Sequence, residues 1–134
     1  MPAVADTHGS EQPRKDWAAG LWSYLPAWIL PKVAIVASAF LPVPVRMAVW
    51  IVALAWMGTA CLVNARRCGR VHCRYTGPYY LTLTVPVALV GTGVIEAGAY
   101  AWIILGVLSV CGGYVITWAT EAVWGRYEDT GKAP

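Results

Sequence analysis

Residues 64–78 read NARRCGRVHCRYTGP and hold two of the chain's four cysteines and one of its two histidines. Cys68 and Cys73, with His72 beside the second thiol, put two sulfurs and an imidazole into one short segment. Soft and borderline ions accept those ligands. Gly69 gives the backbone freedom to fold the sulfurs together. Arg66, Arg67, Arg70 and Arg74 flank them, and nearby positive charge favours thiolate, the form that binds metals and attacks electrophiles. Cys61, on the same helix face as Cys68 if the helix continues that far, and Cys111 near the end of the last apolar segment add two further thiols. The candidate ligand set for a soft ion (Hg, Cu or Zn) is therefore Cys68, His72 and Cys73, with Cys61 and Cys111 along a path into the membrane. A competing reading assigns the four arginines to anionic lipid headgroups, at about 1 kcal/mol each, or to a docked partner. In that reading the helix cysteines are small packing residues.

The elements that must position these groups are apolar. The chain is 58% hydrophobic and 13% charged, against about 25% charged in a soluble domain. Windows 47–65, 79–95 and 97–120 carry no charge at all, and a helix needs about 20 apolar residues to cross a bilayer. The expected architecture is an all-α, polytopic membrane protein, a bundle of about four transmembrane helices. The first covers about 24–41 and is kinked at Pro31, or else divides into an interfacial helix at 17–30 and a re-entrant piece. Lys32 within it has to snorkel, pair or face a polar cavity. The second runs over 46–64. Thr76 or Gly77 suits the N-cap of the third and Pro78 its first position, with an end near 94. A glycine-rich turn holding Glu96 leads to the fourth, at 99–120.

This division leaves a disordered tail at 1–16, a transmembrane domain at 17–120 with a cytoplasmic Cys/His/Arg loop at 65–77, and a C-terminal tail at 121–134. Trp17, Trp22, Trp28, Trp50, Trp118 and Trp124 fall near helix ends, where indoles anchor at headgroup level. Gly58, Ser109 and Gly113 would let helices approach closely. Arginine and lysine concentrate in the central connector and both tails, so both termini are expected on the cytoplasmic side of the inner or plasma membrane. Disulfides are disfavoured there. No paired carboxylates lie near the connector and no phosphate-cradling glycine loop is present, so no enzymatic activity is expected. Membrane lipids are the expected surroundings. A homo-oligomer or a membrane partner subunit is expected as well, because four short helices enclose little volume. The modest net charge of +3 accompanies no expected nucleic-acid partner.

The string NARRCGRVHCRYTGPYYL (64–81) resembles the signature of a family of small uncharacterised prokaryotic membrane proteins. In that family an N-x-x-R-C-G-R-x-H-C segment and a T-G-P helix start join two transmembrane helices. The resemblance singles out Asn64, Arg67, Cys68, Gly69, Arg70, His72, Cys73, Thr76, Gly77 and Pro78. In size, helix number and cytoplasmic-side cysteines the chain is also loosely similar to the small mercuric-ion transport proteins. Those carry adjacent cysteines in their first helix, which this chain lacks. The resulting expectation is a small membrane protein that binds or transports a soft metal ion. The alternatives are an accessory subunit that docks through its arginines and a membrane thiol redox protein.

Overall fold

The computed structural model describes residues 16–125. Four helices make up nearly all of it: α1 (Leu21–Phe40), α2 (Val43–Cys68), α3 (Val71–Gly91) and α4 (Gly98–Trp124). By length and composition α1, α2 and α4 can each cross a membrane. Large apolar side chains point outward along the bundle, among them Phe40, Val52, Ile103, Val115 and Trp118, as a lipid-facing surface requires. The all-α membrane bundle is as expected. Consecutive helices run antiparallel. The residues before α1, the end of α2, the start of α3 and the end of α4 meet at one end through Asp16, Asn64, Arg70 and Glu121. At the other end Trp50 donates to the Ile35 carbonyl and to Ser38 Oγ and packs edge-on against Trp102.

The first half of α3 is polar, and the bundle buries it. His72, Cys73, Thr76, Gly77, Tyr80, Leu83 and Val87 recur at three- and four-residue intervals on the buried face, the periodicity of one helix side. α2 and α3 approach closely where glycine faces glycine. A Cβ on Gly58 would stand 2.9 Å from the Gly77 carbonyl oxygen, and one on Gly77 3.2 Å from the Gly58 oxygen. Gly113 of α4 leaves its side-chain space to the Tyr80 hydroxyl. Gly58 and Gly113 thus act as the sequence suggests.

Four boundaries differ from expectation. The loop at 65–77 is reduced to a joint of Gly69 and Arg70, because α2 runs on to Cys68 and α3 already begins at Val71. Gly69 ends α2 in the left-handed conformation (φ 68°), its N–H returning to the Ala65 carbonyl at 2.8 Å, a glycine C-cap. Pro78 therefore lies inside α3 rather than at its start. A membrane helix tolerates that where neighbouring helices support it, and Gly77, next to Pro78, is the point of contact with α2. The expected tails also shrink, since Asp16 is buried and α4 continues through Glu121 to Trp124. The rest of both tails lies outside the described residues. Trp28 and Trp50 are core residues, 5% and 3% exposed, not headgroup anchors. Trp22 and Trp118 do lie exposed.

α1 is one continuous helix with a local irregularity, long and apolar enough to cross a membrane, not two separate pieces. Over Leu25–Ile29 it widens into a π turn, in which the Leu30 N–H bonds back to Leu25 O. Continuing that spacing, the Pro26 carbonyl would pair with residue 31, which is proline and has no N–H. The Trp56 indole of α2 supplies the missing donor at 3.2 Å. An orphaned carbonyl at membrane depth is costly, so this indole ties the π turn to α2. Trp56→Phe is expected to keep the ring's packing and lower stability by about 1 kcal/mol in a detergent unfolding titration. An unchanged midpoint would show that the bond carries no weight.

Candidate functional site: a buried thiol pair beneath an ion cluster

The joint at Gly69 folds α3 back along α2 and thereby decides which thiols meet. Cys61, about two turns before the end of α2, and Cys73, in the first turn of α3, stand within side-chain interaction range of each other. Both are fully buried, at 1% and 0% exposure. The Trp28 indole N–H donates to Cys61 Sγ at 3.1 Å, and Thr76 Oγ1 lies 3.4 Å from the same sulfur. Thr76 also donates to the His72 carbonyl at 2.9 Å. Asn64 Nδ2 points to Cys73 Sγ at 3.5 Å.

His72 links this pair to the charged end of the bundle. Its Nδ1 lies 2.7 Å from Glu121 Oε1, and its Nε2 lies 3.4 Å from Cys73 Sγ. Arg70 Nε lies 3.2 Å from the same Nδ1; in the tautomer whose Nδ1–H donates to Glu121, the Nε2 lone pair faces the thiol. In that tautomer Glu121 holds the ring with Nε2 toward Cys73.

Above it Arg70 joins two carboxylates that come from opposite ends of the described chain. It pairs with Asp16, and its Nη2 lies 3.1 Å from Glu121 Oε1. Asn64 completes the cluster, donating from Nδ2 to Asp16 Oδ1 at 2.7 Å and accepting from the Trp17 N–H at 2.9 Å. Burial alone would raise the Asp16 carboxyl, but hydrogen bonds from Asn64, Arg70 and the Ala18 N–H outweigh it and hold it below its usual 3.8. Burial would lower the Arg70 guanidinium, but the two carboxylates hold it above its usual range.

Of the sequence-derived candidates, the fold unites Cys61, His72 and Cys73. Cys68 is buried but turns its thiol to the Asn64 carbonyl at 3.0 Å. Cys111 lies exposed on α4 and joins none of these contacts. The expectation that arginines activate the thiols also needs correction. Arg70 is committed to carboxylates, Arg67 lies over the Trp17 ring with its guanidinium carbon 4.8 Å from the ring centre, and Arg66 and Arg74 are exposed. Among the described residues no three His, Cys, Asp or Glu side chains converge on a ready-made metal position. Sequence reasoning missed Asp16, Glu121 and Trp28. The available signal was that Asp16 and Glu121 are the carboxylates closest to the two outer borders of the apolar region. No family model matches the chain, and no curated protein or solved structure does.

Asp16 has its lowered value only in the folded state, so its stabilisation is complete above about pH 4 and is lost as pH falls through that lowered value. Asp16→Asn should cost about 2–3 kcal/mol at pH 7, since it leaves a charged donor short of one partner. It should also flatten the parent's loss of stability in acid. Unfolding of both proteins followed from pH 7 to pH 3 checks this; parallel profiles would contradict it.

Proposed function

We propose that this small integral membrane protein handles a soft metal ion at Cys61 and Cys73, with His72 as the proton acceptor that prepares Cys73. The observation that carries the reading is the contact between these two thiols beside a base oriented by a carboxylate. Two sulfurs without a third ligand suit an ion content with two thiolates, such as Hg(II) or Cu(I), better than Zn(II), which takes four ligands. Binding releases the thiol protons, and the route from Cys73 through His72 to Glu121 accepts one of them. The arginines at this end of the bundle support placing it on the cytoplasmic side, where the pair stays reduced. Exposed Arg66, Arg67 and Arg74 would then lie at headgroup level.

A second reading draws on the same contact: the two thiols close to a disulfide and the chain serves as a membrane dithiol redox protein. Metal stoichiometry on purified protein separates the readings. About one Hg(II) or Cu(I) per chain is expected for the parent and for Cys68→Ser/Cys111→Ser, and none for Cys61→Ser/Cys73→Ser. Glu121→Gln should weaken binding about 10–100-fold, the usual effect of removing a group that orients a ligand. Undiminished binding by Cys61→Ser/Cys73→Ser would refute the assignment. Oxidant-driven formation of a Cys61–Cys73 disulfide in a protein that binds no ion would favour the redox reading.

A further inference from the structure

A cavity of about 280 Å³ lies between α1, α3 and α4, with Cys61 of α2 and Lys32 of α1 both on its wall. Lys32 is 9% exposed and sits within a span of otherwise apolar character. Its Nζ lies 3.9 Å from the centre of the Tyr114 ring. No carboxylate pairs with it among the described residues, and none lines the cavity. The other charged group on the wall, Arg70, is already held by Asp16 and Glu121. Tyr24, Thr76, Tyr80, Tyr114 and Thr117 line the same wall, together with the Trp28 ring.

A lysine at hydrocarbon depth costs about 2.5–3.5 kcal/mol on insertion scales, and a ring face returns only part of that. Among the described residues the site offers Lys32 no carboxylate. We propose that this cavity binds a small organic monoanion, a monocarboxylate with an apolar or aromatic body, whose carboxylate is held by Lys32 and the tyrosine hydroxyls. The charge balance selects a monoanion, because a dianion would bring a second negative charge that no free cation on the wall offsets. The volume, at the low end of the roughly 300–1,000 Å³ found for ligand sites, selects a ligand about the size of benzoate. The aromatic walls provide for its body. This inference does not rest on metal binding, although Cys61 and His72 stand on the same wall as Lys32.

Equilibrium binding of radiolabelled benzoate to the full chain in nanodiscs tests it. One saturable site per chain is expected. Lys32→Met, close in length but uncharged, should weaken it about 10–100-fold, the factor that losing a charged hydrogen bond implies. Lys32→Arg should stay within several-fold of the parent. Cys73→Ser, which removes a metal-binding thiol that is not on the cavity wall, should bind benzoate normally, which keeps this result independent of metal binding. Sulfate and benzylamine should fail to compete. If Lys32→Met does not assemble, Tyr114→Phe, which keeps the ring and removes one hydroxyl, should still weaken binding several-fold. Absence of saturable binding, equal binding by Lys32→Met, or, where that variant does not assemble, by Tyr114→Phe, or displacement by sulfate would each overturn the proposal.

Discussion

Arg70 and its two carboxylates are the interaction on which the rest of this structure depends. Asp16 precedes α1 and Glu121 sits in the last turn of α4, so one guanidinium fastens the first and last described helices to the joint between α2 and α3. Hydrophobic attraction does little to bring helices together inside a bilayer, where lipid tails are as apolar as leucine. Close backbone contact and polar bonds between helices must do it instead. Here the two are divided by position. Gly58 and Gly77 allow α2 and α3 to touch along their length, and the ion cluster gathers all four helices at one end. A buried ion pair contributes modestly when intact and costs several kcal/mol when one partner is removed. The cluster is therefore a specificity device more than a reservoir of stability.

The chemistry sits directly beneath that cluster, and the placement follows from the chain. Because Gly69 turns within a single residue of α2's end, the start of α3 runs back beside the last turns of α2. Cys73 then lies level with Asn64 and Cys61, not with Cys68. Glu121 serves both layers, accepting from Arg70 above and meeting His72 below. A group that secures the bundle thus also orients the imidazole facing Cys73. Thiol geometry and bundle geometry cannot change independently.

Much of the architecture was legible in the sequence because lipid permits little else. Uncharged windows of spanning length, a proline turn at 41–46 and a glycine turn near Glu96 mark the helices, whereas the TGP string lies inside α3. That string was misread as a helix start, since Thr, Gly and Pro in a row match a cap, whereas Gly77 is small so that α2 can approach and Pro78 follows inside the helix. The reactive segment was found, but its partners were not. Cys61 and Cys73 are paired by a helix reversal whose tightness depends on one glycine, and spacing along the chain made Cys68 look nearer. Asp16 and Glu121 were lost to the presumption that polar residues flanking apolar runs belong to tails. Trp28 and Trp50 look like interface anchors by position, yet their N–H groups find Cys61, Ile35 and Ser38 inside the bundle.

The central claim is that the Arg70 cluster closes the end of the bundle over the thiol pair. Its most direct test is the alkylation rate of Cys73 by a membrane-permeant maleimide, in a Cys61→Ser/Cys68→Ser/Cys111→Ser background and with the cluster either intact or opened by Arg70→Gln. Slow labelling with Arg70 present, and labelling at least about tenfold faster without it, is the expected result for a protected thiol released by local opening. Rapid labelling in both proteins, or equal slow labelling in both, would contradict the account.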